Sequence, residues 1–201
     1  MRKGWDKVAR ALEITLSAPA YAAVCFLLIM LLGPWNSPGF LETYLICLFF
    51  ASALPVLVIM ACVRAGLVSD MFLSRREERG LPFVGAISSY LVGTWSLSLL
   101  RAPRELLALM SCYAFITAIM SLINLSWKIS IHAAGISGPT TCLVYLLGMR
   151  AVFLYALLVP VCWSRLKLGQ HDLKQVLAGS LLPIPASWFW MEIALSFLFT
   201  S

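Results

Sequence analysis

Charge is scarce in this chain of 201 residues: 12% are Asp, Glu, Lys or Arg, 61% are hydrophobic, and mean hydropathy is +0.91. So little polar surface cannot coat a water-soluble globule of this size. Histidine occurs only twice, at His132 and His171. The six cysteines (Cys25, Cys47, Cys62, Cys112, Cys142 and Cys162) stand singly in apolar stretches. They lack the paired spacing of a metal site or a disulfide framework and read as small core residues. Low-complexity tracts, short repeats and linkers long enough to separate a pair of domains are also absent. No clear small-residue cleavage site follows the first apolar run, so the first span is expected to stay. Acidic residues are few, 9 against 15 basic, for a net charge of +6. That balance suits anionic head groups or a phosphorylated lipid, although basic loops obeying the positive-inside rule account for most of it.

What the chain does have is apolar runs of membrane-spanning length, about 20 helical residues for a 30 Å hydrocarbon core. Spans are expected near 17–33, 41–64, 83–100 and 105–124, with tight connections at "GPWNSPGF" and "RAPRE". The stretch from Ala133 to Trp163 is too long for one crossing and carries Arg150 near its middle. A turn at 148–150 moves that arginine to the interface and gives two short spans, 131–148 and 151–165. The last span, 172–199, is expected to bend at Pro183 and Pro185. The expected fold is therefore all-α, a polytopic transmembrane bundle of six to seven spans. Residues 1–16 form an interfacial amphipathic segment, with Trp5, Val8, Ala9, Leu12 and Leu16 on one face and Lys3, Asp6, Lys7, Arg10 and Glu13 mostly opposite. Residues 17–201 form a single transmembrane domain.

Seven crossings send three polar connections to one side: "SDMFLSRREERGLP" (69–82), "SWKISIHAAG" (126–135) and "SRLKLGQHDLKQ" (164–175). Each of the later two contains one of the two histidines. Arg75, Arg76, Arg79, Lys128, Arg165 and Lys167 can converge with them. Cations around two imidazoles suit phosphate, because arginine forks onto phosphoryl oxygens and histidine serves as nucleophile or proton donor. Trp127 and Trp163 read as interfacial anchors.

In these residues the chain resembles the type-2 phosphatidate phosphatase superfamily, integral-membrane lipid phosphatases that share site chemistry with vanadium haloperoxidases. The family's third motif is Ser-Arg, five residues, His, three residues, Asp; Ser164, Arg165 and His171 fit it, with Gln175 at the Asp position. Its second motif, Pro-Ser-Gly-His, is met by Ser130 and His132 within Ile129-Ser130-Ile131-His132. Its first motif is Lys, six residues, Arg-Pro; here Arg79 is followed by Gly80, Pro82 comes two further on, and Phe72 holds the Lys position. The resemblance covers about half the chain, Asp70 to Gly179.

The resemblance implies a metal-independent phosphatase without cofactor, acting on an isoprenoid (di)phosphate or another lipid phosphate. It makes His171 the nucleophile that forms a phosphohistidine, Gln175 its orienting partner and His132 the proton donor to the leaving oxygen. Arg165, Arg79 and one of Arg75 and Arg76 hold the equatorial oxygens, with Lys128, Ser130 and Ser164 on the same phosphate. Asp172 or Asp70 is an alternative to the missing carboxylate. A catalytically silent relative that binds or moves anionic lipids is the competing expectation, supported by Gln175 and the broken first motif. A metal-dependent hydrolase lacks carboxylate partners near the histidines. Apart from the bilayer and a lipid substrate no partner is implied, and nucleic acid is not among them. The motif side carries twelve of the 15 basic residues, which places it in the cytoplasm of a cell-membrane protein.

Overall fold

The computed structural model describes residues 2–33 and 39–199, and the regular elements in them are all helical. The tight connection expected at "GPWNSPGF" falls largely on residues 34–38, outside the described ones.

Helix α1 (Arg2–Thr15) meets α2 (Ala18–Leu32) at 49°. Between them Ser17 is extended, and Pro19 sits in the first turn of α2, where a missing N–H costs no helical bond. The long helix α3 (Phe40–Arg64) contains one π turn, Phe49–Ala53. In that register the Phe50 carbonyl would bond the nitrogen of Pro55, which has no hydrogen. The Ser89 hydroxyl donates to it instead at 2.7 Å, tying α3 to α4 (Gly80–Leu99). Helix α5 (Arg104–Asn124) is the central post; every residue from Leu106 to Ala114 is buried. Over that stretch it is apolar nearly all round because each side meets another helix, whereas Leu122 nearer its end is exposed.

Helix α6 (Ile131–Leu147) ends at Gly148, whose φ of +75° favours glycine. A 3₁₀ stretch (Gly148–Leu157) then leads into α7 (Leu158–Lys167). The chain folds back at Gly148: Thr141 and Tyr155 share a hydrogen bond of 2.7 Å, and Arg165 returns to His132. A straight helix would hold residues 132 and 165 about 50 Å apart. The turn expected at 148–150 is therefore present, and Arg150 is exposed at it. Helix α8 (Leu173–Leu198) is interrupted at Leu182, before Pro183. Gly135 lets α6 lie on α2, since a Cβ there would overlap the Ala18 side chain.

By length and apolarity four helical runs are candidates to cross a membrane, 40–64, 104–124, 131–167 and 173–198, the third of them folded back on itself at Gly148. The bent pair α1 and α2 makes a fifth. This is fewer than the six to seven expected. Helix α2 alone has only 15 residues, and α4 spends five of its 20 on Ser and Thr.

The expected polar face of α1 also needs correction. Glu13, expected on that face, is buried, as is Ala9. The helix packs on α7 through a carboxylate, with Trp5 edge-on to Trp163 at 6.0 Å. Charge pairing with Arg165 outweighs the amphipathic stripe at that position.

Candidate active site

Three connections meet at one end of the bundle: 65–79, 125–130 and 168–172. The first is shaped by its own carboxylates. Asp70 accepts from the Phe72 and Ser74 amides at 2.8 and 3.2 Å, and Glu78 accepts from the Ser69 amide and hydroxyl at 2.7 and 2.6 Å. Arg79, fully buried, then joins the first connection to the second. Its Nε donates to the Leu73 carbonyl at 2.9 Å and its Nη1 to the Ile129 carbonyl and Asn124 Oδ1 at 3.0 and 3.2 Å. Asn124 answers by donating to the Arg76 carbonyl at 3.0 Å. Burial draws the Arg79 guanidinium down to about 10, so it keeps its charge at neutral pH. The second connection meets α8 where the Ser130 amide donates to the Gln175 carbonyl at 3.3 Å.

His171 lies just ahead of α8 and is 8% exposed. Its Nδ1 is 2.9 Å from Gln175 Oε1, and that same atom accepts the Asp172 amide at 3.3 Å. An atom that accepts a backbone N–H is the amide oxygen, so His171 carries its hydrogen on Nδ1 and leaves a lone pair on Nε2. Burial pushes the imidazole down to about 4, the bond to Gln175 pulls the other way, and the charges of Arg79, Lys128 and Arg165 push further down. The ring is neutral at physiological pH. Asp172 caps α8 by accepting from the Gln175 amide at 2.8 Å, a reciprocal capping box that fixes both residues of the His171 partnership.

Arg165 comes up from the end of α7 with 1% exposure. Its Nη1 is held by Glu13 Oε1 at 2.8 Å and Gln170 Oε1 at 2.6 Å, and lies 3.4 Å from His132 Nδ1. Gln170 also donates to Glu13 at 3.0 Å and closes a triangle. The other edge of the guanidinium, Nε and Nη2, is buried without a partner among the described residues. Two parallel donors on one planar edge are what a phosphoryl or carboxyl group takes bidentately. His132, at the start of α6, lies within electrostatic reach of Arg165, His171 and Arg79.

The remaining residues singled out from sequence divide. Arg76 pairs with Glu77 at 3.3 Å and donates to the Leu125 carbonyl at 3.0 Å. Arg75 pairs with Glu78 at 3.4 Å and points outward. Both line an open cleft with Lys128 and Gln175, beside the histidines rather than between them. Burial and Arg79 lower the Lys128 ammonium. Ser164 is buried with its hydroxyl donating to the Val161 carbonyl at 2.8 Å, and Ser130 caps α6 by accepting from the Ala133 amide at 3.4 Å. Asp70 is occupied by its own loop. Sequence reasoning did not single out Glu13 as a partner of Arg165, nor Gln170 or Asn124. A buried carboxylate two residues before the end of α1 leaves no motif; only a polar residue next to the apolar stripe could have hinted at it.

Below His132 an apolar cavity of about 390 Å³ lies among α2, α3, α4, α5 and α6. Along α6 its wall runs from His132 to Cys142, and Phe72, Phe83, Tyr90 and Tyr113 face it from the other elements. Comparison of the chain with protein-family models, curated proteins and solved structures gives no match.

Proposed function

We propose that this protein is a membrane lipid phosphatase that works through a phosphohistidine. The observation that carries the reading is the unpartnered Nε and Nη2 edge of buried Arg165, in the same cluster as a neutral His171 whose Nδ1 is fixed by Gln175. His171 Nε2 attacks the terminal phosphorus; an N–P bond forms and the bridging P–O bond breaks. The electron pair leaves on the lipid oxygen, which takes a proton from His132. Water then cleaves the N–P bond and gives a proton back to His132, releasing phosphate and restoring both histidines. Arg165 grips the equatorial oxygens, where charge is spread in the transition state, and the charges of Arg79 and Lys128 add to the field. The N-terminus of α8 adds its positive dipole end.

The apolar cavity supports a lipid tail. A prenyl chain bearing a mono- or diphosphate is the substrate we favour, its tail lying in that cavity. The chain crosses the membrane seven times in this reading, α1 lies in the interface, and the site faces the cytoplasm. Fewer basic residues, three, flank the opposite ends.

The test is phosphate release from a long-chain prenyl diphosphate by the purified protein in detergent with EDTA. Release is expected to continue with EDTA and to stop with orthovanadate, which mimics five-coordinate phosphorus. No release from any lipid phosphate favours the silent anionic-lipid binder; strong EDTA inhibition reversed by added metal removes the metal-independent mechanism.

A further inference from the structure

Helix α1 does more than lie on the bundle. Its Glu13 is 4% exposed and reaches Arg165 Nη1 at 2.8 Å, with Gln170 bonded to both partners. A buried ion pair is weak evidence for stability, because both charges lose their water. Its consequence is geometric. A guanidinium is planar and rigid, so fixing Nη1 fixes the direction of the opposite edge, and that edge, Nε with Nη2, is the one left buried and, among the described residues, unpartnered. The next residue, Ile14, and the α1–α2 junction at Ser17 and Pro19 form part of the wall of the apolar cavity. One short segment thus touches both the anchor of the phosphate-gripping arginine and the tail cavity.

We infer that Glu13 is a positioning residue: supplied by the interfacial helix, it aims the free edge of Arg165 at the substrate phosphoryl group, so that α1 must be docked for turnover. This rests on the phosphatase reading for its reaction, but not for its anion-binding aspect. The reach of the carboxylate matters more than its charge, because the partner atom must be held in place. Glu13→Gln keeps an oxygen at the same reach, Glu13→Asp keeps the charge but falls one methylene short, and Glu13→Ala removes both.

The experiment uses the full chain in detergent, with folding checked by size exclusion. It reads kcat and KM on a long-chain prenyl diphosphate, and the rise in melting temperature caused by orthovanadate. Glu13→Ala is expected to lower kcat about 10- to 100-fold with little change in KM, the scale of losing a supporting partner. The order should be wild type, Gln, Asp, Ala, and the vanadate shift should shrink in the same order. In an Arg165→Lys background, which has no fork to aim, Glu13→Ala should add less than about twofold. If Glu13→Ala does not fold, the order of the Gln and Asp variants decides. Wild-type kcat in Glu13→Ala, Gln no better than Asp, or a full further loss on Arg165→Lys overturns the inference. Turnover without Glu13 dependence removes Glu13 and leaves the phosphatase; a Glu13-dependent vanadate shift without turnover of any lipid phosphate does the reverse. If neither turnover nor a vanadate shift appears, both fall.

Discussion

His171 combines two properties that a nucleophilic imidazole needs, a fixed tautomer and a proton-free Nε2. Because burial holds its pKa near 4, below the ordinary histidine value of about 6.5, the neutral form persists as pH falls through the range where a free histidine protonates. The acid limb of kcat/KM, which reports the free protein, is therefore expected near pH 4 to 5 and not near 6.5. Gln175→Glu puts a carboxylate on Nδ1–H at the same reach. An opposite charge favours the imidazolium, so the limb should move to higher pH while activity at neutral pH is preserved or raised. A pH profile of both proteins checks this; a limb that stays put, or a steep loss at neutral pH, shows a site organised around the amide. His171→Ala should abolish release while orthovanadate still raises the melting temperature, since the Arg165 edge remains. Residual release above about a tenth of wild type takes His171 out of the nucleophile's role.

At the scale of elements, the site depends on how closely α8 approaches the connection before α6. A Cβ added at Gly179 would collide with the Ser130 carbonyl, a backbone atom that cannot rotate aside. Gly179→Ala is expected to push α8 from Ser130 and shift Gln175 and His171 with it. Overpacking of this kind costs about 1–3 kcal/mol, so both melting temperature and phosphate release should fall; an unchanged protein on either measure contradicts the close approach of α8 to Ser130. The approach of the His132 and His171 segments was legible because each lies at a loop-to-helix junction on the same side of the expected bundle, and the turn at Gly148 because Arg150 cannot rest at bilayer depth. Glu13 was not legible. The stripe argument reads a helix by its own periodicity, whereas Glu13 is placed by a residue on α7, from the far end of the chain. The likeness of Ser164 and Ser130 to phosphate ligands was legible only as sequence; in the structure Ser164 donates to a helix carbonyl and Ser130 caps α6. Local hydrogen bonding, to which hydroxyls are prone, absorbs the donor of Ser164, whereas Ser130 only accepts and keeps its hydroxyl hydrogen to give.

For the whole molecule, the distribution of positive charge and the parity of the spans set the orientation. The connection at 65–79 lies at the site end, and that at 100–103 lies one α4 length away. Single cysteines at Ser74 and Ala102, in a cysteine-free background on intact cells, report this with an impermeant thiol reagent. Labelling is expected at Ala102 and not at Ser74; the reverse overturns the orientation, and labelling at both overturns the span count.

The central claim is that His171 becomes covalently phosphorylated in an arginine-held site. It is tested most directly by mixing the purified protein in detergent with a prenyl diphosphate carrying ³²P at its terminal phosphorus, quenching with denaturant at alkaline pH, and mapping the protein-bound label. The account predicts acid-labile, base-stable label on the peptide containing His171, none in His171→Ala, and little in Arg165→Ala. Phosphate release without protein-bound label, or label that persists when His171 is gone, would contradict it.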